Sequence, residues 1–392
     1  MQWPPAWKSA SPLELLKRSP VNCLVIEQGP IADQARQMGI TVVAPGQYPD
    51  GVRVLEGVWP GIRIARFGAR DAVSAGPTGE PWVNSNIWPV RLERARSPEA
   101  NVWIKAAPAD PSGYVTALAD AAITGGRWII TLDDALAGAL AAGQTAALDT
   151  WSTITRAAAF FAEHRVWTDY IPKVVLGILS DFRSARTQEL LNLITRAGQQ
   201  YRVIPKDKLN AKSLEGLKAV IYADKDPLDP AGRSEVLTFV AAGGLLITGP
   251  EWPEIPEATP LPASHPRFTV FGSGRGFIAV SGKELTDPYQ LASDSAILIS
   301  HRHDLLRFWN GGALSAYFAS APDGRRAVVQ VIFYSNRPME DSSMWIAGNY
   351  SAAAISTFDR KQVGPVHFER RNGGVEIHLP RIGQYAAIEL EA

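Results

Sequence analysis

Phe239-Val240-Ala241-Ala242-Gly243-Gly244-Leu245-Leu246-Ile247-Thr248-Gly249-Pro250 reads as a helix end, a double-glycine stop and a buried strand closed by Gly-Pro. Upstream, Asp229-Pro230 opens that helix with an aspartate cap and a proline at the first helical position. Leu217 to Tyr222 and Tyr201 to Ile204 are predicted strands, and Arg186 to Ala197 is a predicted helix stopped at Gly198. Lys173 to Ser180 is a further strand that delivers Asp181-Phe182 to its end. This alternation predicts an open, doubly wound α/β domain of flavodoxin type over residues 171–290.

The same alternation runs through residues 1–170. Val21 to Glu27 is a strand, Ile31 to Met38 a helix closed by Gly39, and Ile40 to Ala44 a strand stopped by Pro45-Gly46. Such a unit is normally parallel. Further strands are expected at Val52 to Glu56, Gly61 to Arg66, Asn101 to Lys105 and Arg127 to Leu132, with helices over Gly113 to Ile123 and Thr150 to His164. About six strands fall short of an eight-stranded barrel, which usually takes about 250 residues. The expectation is a parallel α/β sheet, open or forming a shortened, incomplete TIM-like barrel.

In residues 291–392 the pattern turns to short strands, Ala327 to Ser335, Met344 to Ala347, Val375 to Pro380 and Tyr385 to Leu390, joined by polar turns. They predict a small antiparallel β-sandwich. His301 and His303 would share a strand face with Asp304 beside them, but no third protein ligand is identifiable, so they are read as polar residues of a domain junction. The whole is an α/β multidomain chain.

Composition narrows the function. The 39 basic and 39 acidic side chains cancel, which disfavours bulk nucleic-acid binding. With only Cys23 there is no internal disulfide and no multi-cysteine metal site, and cytoplasm or a secreted or periplasmic location after signal removal are equally expected. No apolar run approaches the roughly 18 to 20 residues that span a bilayer, so no membrane partner is expected. No Gly-x-Gly-x-x-Gly or phosphate loop follows a predicted strand, and no cofactor is expected. The 12 tryptophans suit either sugar-stacking platforms or filled cores and domain seams.

Leu214 to Ile221, the Pro227-Leu228-Asp229-Pro230 turn and Phe239 to Pro250 resemble the amidotransferase-like domain of family-42 glycoside hydrolases, the bacterial β-galactosidases. In that family the domain follows a barrel, assists oligomerisation and has lost its nucleophile. Here too no cysteine stands at a strand-to-helix elbow, because Cys23 lies in another segment. The order of segments is similar over nearly the whole chain, and the C-terminal strands resemble the β-domain of many multidomain glycoside hydrolases. The resemblance implies a carbohydrate substrate, paired-carboxylate acid/base catalysis and a homo-oligomer formed through the flavodoxin-like domain. One departure stands out. The barrel hydrolases of this clan carry their acid/base in an Asn-Glu pair, and this sequence has no such dipeptide.

Ligand groups of parallel sheets gather at the carboxyl ends of strands. Glu27, Glu56 and the pair Asp133-Asp134 stand at such ends and form the pool from which a catalytic pair would be drawn. The irregular stretch from Asp71 to Trp88 mixes indoles with short amides, as sugar recognition requires; a structural loop would use the same residues to plug a sheet. Trp59, Trp82, Asn84, Asn86 and Trp88 are the candidate substrate contacts. Carboxylates at hydrolase distance in a tryptophan-lined cleft would make an enzyme. Scattered carboxylates, or a pocket filled by Trp59, Trp82 or Trp88, would make a non-catalytic carbohydrate-binding or assembly protein.

Overall fold

The computed structural model describes residues 1–63, 65–67, 72–74, 83–196, 198–252, 259–262, 265–310, 312–335, 342–358, 366–379 and 383–392. In the first unit, β1 (Cys23–Val25), β2 (Thr41–Val43), β3 (Val52–Glu56), β4 (Asn101–Lys105) and β5 (Arg127–Trp128) form parallel pairs β1/β2, β3/β4 and β4/β5. The chain start joins them. Trp3 N–H donates to Val25 O at 2.9 Å, Gln2 N–H to Ile130 O at 2.8 Å, and Ile129 N–H to Ile104 O at 2.8 Å.

The resulting order is β2, β1, residues 1–3, residues 127–130, β4, β3. It is an open sheet: among the described residues neither β2 nor β3 gains a second neighbour, so no closed barrel forms. Helices α1 (Pro30–Gln37), α3 (Tyr114–Ala122), α4 (Asp134–Ala141) and α5 (Thr145–Glu163) cover one face, where Leu24, Ile26, Val102, Ile104 and Ile130 pack against Ala32, Ala121 and Ile154. Val25, Val43, Val54, Trp103 and Ile129 lie together on the other face, as strand alternation requires. Between β3 and β4 the helix α2 (Ile87–Arg96) leaves this unit, carrying Trp88 and Leu92 into the core of the next.

That second core surrounds a seven-stranded sheet. Its parallel strands β6 (Leu176–Ser180), β7 (Tyr201–Pro205), β8 (Ala219–Tyr222), β9 (Leu245–Thr248) and β11 (Gly276–Ser281) lie in the order β7-β6-β8-β9-β11. This 2-1-3-4-5 order is that of the flavodoxin type. The hairpin partner β10 (Phe268–Ser273) and Thr259–Pro260 extend it antiparallel. Helices α6 (Ala185–Arg196), α7 (Ala211–Leu214) and α8 (Pro230–Ala241) connect the parallel strands. Asp229 caps α8 through Gly232 N–H at 2.7 Å, with Pro230 at the first turn. Helix α9 (Pro288–Ile299) packs on α6, so residues 291–299 belong to this layer and not to the sandwich.

The last unit is a two-sheet sandwich. One sheet runs Ile171–Pro172, β13 (Leu314–Ser320), β14 (Arg326–Phe333), β19 (Tyr385–Glu391), β16 (Ala352–Ser356); the other runs β12 (Leu306–Trp309), β15 (Ser342–Ala347), β18 (Gly374–Leu379), β17 (Phe368–Arg371). All pairings are antiparallel. Strand β14 is buried on both faces. Val329, Val331 and Phe333 fill the sandwich, while Val328 and Ile332 meet Ala119, Ile123 and Phe160 of α3 and α5. At the junction with the second unit Asp304 is buried and accepts from Gln199, Arg307 and the His301 ring, each at 2.8 Å. No helix among the described residues is long and apolar enough to cross a membrane.

Candidate functional site

The carboxyl end of the first sheet was the expected site. Glu27 and Glu56 are exposed, and the Glu56 side chain, 79% accessible, pairs with Lys105 at 3.0 Å. That bond raises the Lys105 ammonium above the ordinary lysine range. Glu56 ends β3, whereas Glu27 lies two residues beyond the end of β1. Their strands are four spacings apart, roughly 19 Å along the sheet at about 4.8 Å each.

Asp133 serves the backbone: Oδ1 accepts from Leu136 N–H at 2.8 Å as the cap of α4, and Oδ2 from the Tyr114 hydroxyl at 2.7 Å. Burial first, then the bond to Asp133, holds the Tyr114 phenol well above its usual range. Asp134 is exposed in the first turn. Among the described residues no hydrogen bond, ion pair or metal-type cluster links any two of Glu27, Glu56, Asp133 and Asp134.

The aromatic candidates are packed inward. Trp59 meets Tyr114 edge-on at 5.5 Å and Trp128 at 5.4 Å, and its half-buried indole lies over Gly113. A Cβ at Gly113 would stand 2.7 Å from Trp59 Nε1, while the glycine's own φ of −89° suits any residue. Gly113→Ala is therefore expected to displace the indole and cost about 1–3 kcal/mol by overpacking. Chemical denaturation and the near-ultraviolet dichroism of the tryptophans would read both effects; an unchanged spectrum would refute the packing.

Trp88 lies in the seam with the second unit, and Asn84 pairs with Gly61 in a two-residue ladder. Trp82 lies outside the described residues, as does most of the stretch before it. Asn86 is 2% exposed and its amide is fully engaged: Oδ1 accepts from Val58 N–H at 2.9 Å, and Nδ2 donates to Val58 O at 2.9 Å and Asp120 at 3.0 Å. It positions the turn after β3 and faces no open space.

Asp120, unmarked in the sequence reading, is the hub of that network. It accepts from Tyr334 at 2.6 Å, Ser85 at 2.7 Å and Asn86 N–H at 2.6 Å, joining α3, the start of α2 and the end of β14. Burial pushes its carboxyl above the ordinary range, against the pull of its four hydrogen bonds. A lone aspartate among alanines on an apolar helix is the signal that could have found it.

The described residues line two sizeable cavities that open to solvent. One, of about 650 Å³, lies at the carboxyl ends of β8 and β9, between Tyr222, Trp252 and the first turns of α8. The other, of about 610 Å³, lies at the amino ends of the first sheet, opposite the expected site. Trp103, Trp128 and Trp167 line it with Asn101, Arg127 and Arg165. None of the four candidate carboxylates lines either cavity.

No protein-family model matches the sequence, and no curated protein matches it. Solved structures do. The α-L-fucosidase isoenzyme 2 from Paenibacillus thiaminolyticus is similar over 92% of this chain and 70% of its own, at 10% identity and a TM-score of 0.54. The β-galactosidase from Rahnella sp. R3 is similar over 78% of this chain and 57% of its own, at 10% identity and a TM-score of 0.50. The GH42 β-galactosidase Gan42B from G. stearothermophilus is similar over 63% of this chain, at 13% identity and a TM-score of 0.40, and the chain spans 43% of that enzyme's length. At these identities the likeness is one of fold: the chain is similar in fold to these glycoside hydrolases.

Proposed function

We propose that the chain is a carbohydrate-binding protein on a glycoside-hydrolase scaffold, without hydrolytic turnover. The observation that carries this reading is the state of the carboxylates. A glycosidase acid must keep its proton through burial or a second carboxylate, and the pair must stand roughly 5 to 9.5 Å apart. Glu56 is 79% accessible beside a lysine, and Asp133 is committed to a helix cap. The open sheet reads as a barrel remnant, and the second unit as a degenerate amidotransferase-like domain by its strand order and its lack of a cysteine. Carbohydrate as the ligand class rests on the glycosidase activities of the fold neighbours and on the indole, amide and guanidinium lining of the cavity at the amino ends of the first sheet.

The competing reading, hydrolysis by Glu27 and Glu56, is disfavoured by the roughly 19 Å between their strands. Assays of 4-nitrophenol release from a panel of aryl glycosides separate the two. Wild type is expected to match the Glu27→Gln/Glu56→Gln double variant at background, while oligosaccharides quench tryptophan fluorescence saturably. Turnover that the double variant abolishes would overturn the binding reading and install the hydrolase.

A further inference from the structure

The 610 Å³ cavity at the amino ends of the first sheet has a charge pattern that a neutral sugar does not need. Arg127 starts β5 and Arg165 follows α5; both are exposed at the cavity mouth. Neither makes an ion pair among the described residues, although Glu99 and Asp169 also line the mouth. Arg165 is the charged neighbour that acts on Arg127, and both line the same cavity. Burial and then repulsion by Arg165 draw the Arg127 guanidinium below the ordinary arginine range.

A third guanidinium stands beside them. Arg94 Nη1 donates to Thr124 O at 2.9 Å and lies against Gly125, whose missing Cβ leaves the room it occupies. A chain with no net charge has concentrated three arginines at one opening. Trp103, half-buried against Tyr48 at 5.9 Å, supplies an indole face beside them, and Asn101 an amide. Guanidinium forks match the planar oxygen pair of a carboxylate, and an indole suits the apolar face of a pyranose.

We infer that this cavity binds an acidic oligosaccharide, its carboxylate held between Arg127 and Arg165 and a sugar ring against Trp103. The inference rests on the carbohydrate-binding reading and deepens it. The 392-residue chain is titrated by calorimetry with tetragalacturonate, with neutral galactotetraose and with inorganic sulfate. Tetragalacturonate is expected to bind about tenfold or more tighter than the neutral tetramer, weakening with added salt, and Arg127→Gln/Arg165→Gln to remove that preference. Arg165→Gln alone, at an exposed site, serves if the double variant does not fold.

Equal affinity for acidic and neutral tetramers, unchanged in the variants, would overturn the acidic preference and leave carbohydrate binding standing. Acidic binding untouched by both arginine variants would place the site elsewhere and overturn the assignment. Sulfate binding as tightly as tetragalacturonate would reduce the site to one for bare anions. Binding of no saccharide would sink this inference together with the reading beneath it.

Discussion

Asp120→Ala is expected to destabilise the protein by about 3–5 kcal/mol, because it strands three buried donors at once. The Tyr334 hydroxyl, the Ser85 hydroxyl and the Asn86 N–H all point at this carboxyl, and Asp120 itself is fully buried. Loss of Asp120 also frees Asn86, which holds both backbone groups of Val58, so the turn carrying Trp59 should loosen with it. Asp120→Asn keeps the volume but turns a donor toward donors, and about 2 kcal/mol is the expected cost. Urea midpoints of the two variants against wild type measure both; a loss under about 1 kcal/mol for the alanine would show that the network is solvated or unformed.

The same carboxyl sets a pH dependence. Its native value is raised by burial, above the unfolded value of about 3.9. Between those two values the folded chain holds a proton that the unfolded chain has released. Stability therefore falls as pH rises through that window and is fully present below it. Asp120→Asn should flatten this part of the stability profile, and a wild-type profile rising there would contradict the raised value.

The second unit was the most legible part of the chain, because its signals are local. Gly243-Gly244, Asp229-Pro230 and the runs at 176–180 and 245–248 mark element ends within a few residues. The first sheet was legible as strands and helices but not as an order. Its central segment, residues 1–3, is three residues before Pro4-Pro5, too short to show any period, and only hydrogen bonds to Val25 and Ile130 make it a strand. Strand β14 is a continuous apolar run broken only by Gln330, and continuity signals burial on both faces where alternation signals one.

The site was legible only in part. Strand ends pointed to Glu27, Glu56 and Asp133, yet whether a carboxylate is free depends on partners such as Lys105, 49 residues from Glu56, or Tyr114. Asn86 shows the same limit: its amide is spent on Val58 and Asp120, 28 and 34 residues away. Arg127 and Arg165 escaped notice because each is an ordinary arginine at an element boundary, and only the fold brings them to one opening.

Phe160→Ala is expected to cost about 3–5 kcal/mol and to do so at a seam. The ring, 7% exposed, touches Phe161 at 5.6 Å, Trp167 at 5.9 Å, Phe358 at 5.4 Å and Tyr385 at 5.6 Å, and stacks on His164 at 4.2 Å. Phe358 and Tyr385 belong to the C-terminal unit and stack at 4.7 Å, so α5 and the sandwich share one aromatic cluster. Such a seam makes the two units unfold together: tryptophan fluorescence, which reports mostly the first unit, and far-ultraviolet dichroism should give coincident transitions in wild type. Removing the ring leaves a cavity that neither side can fill, because β14 is already packed on its other face. The variant should therefore show a lower midpoint and separated transitions. Coincident curves with a midpoint near wild type would show that the Phe160 ring does not couple the two units.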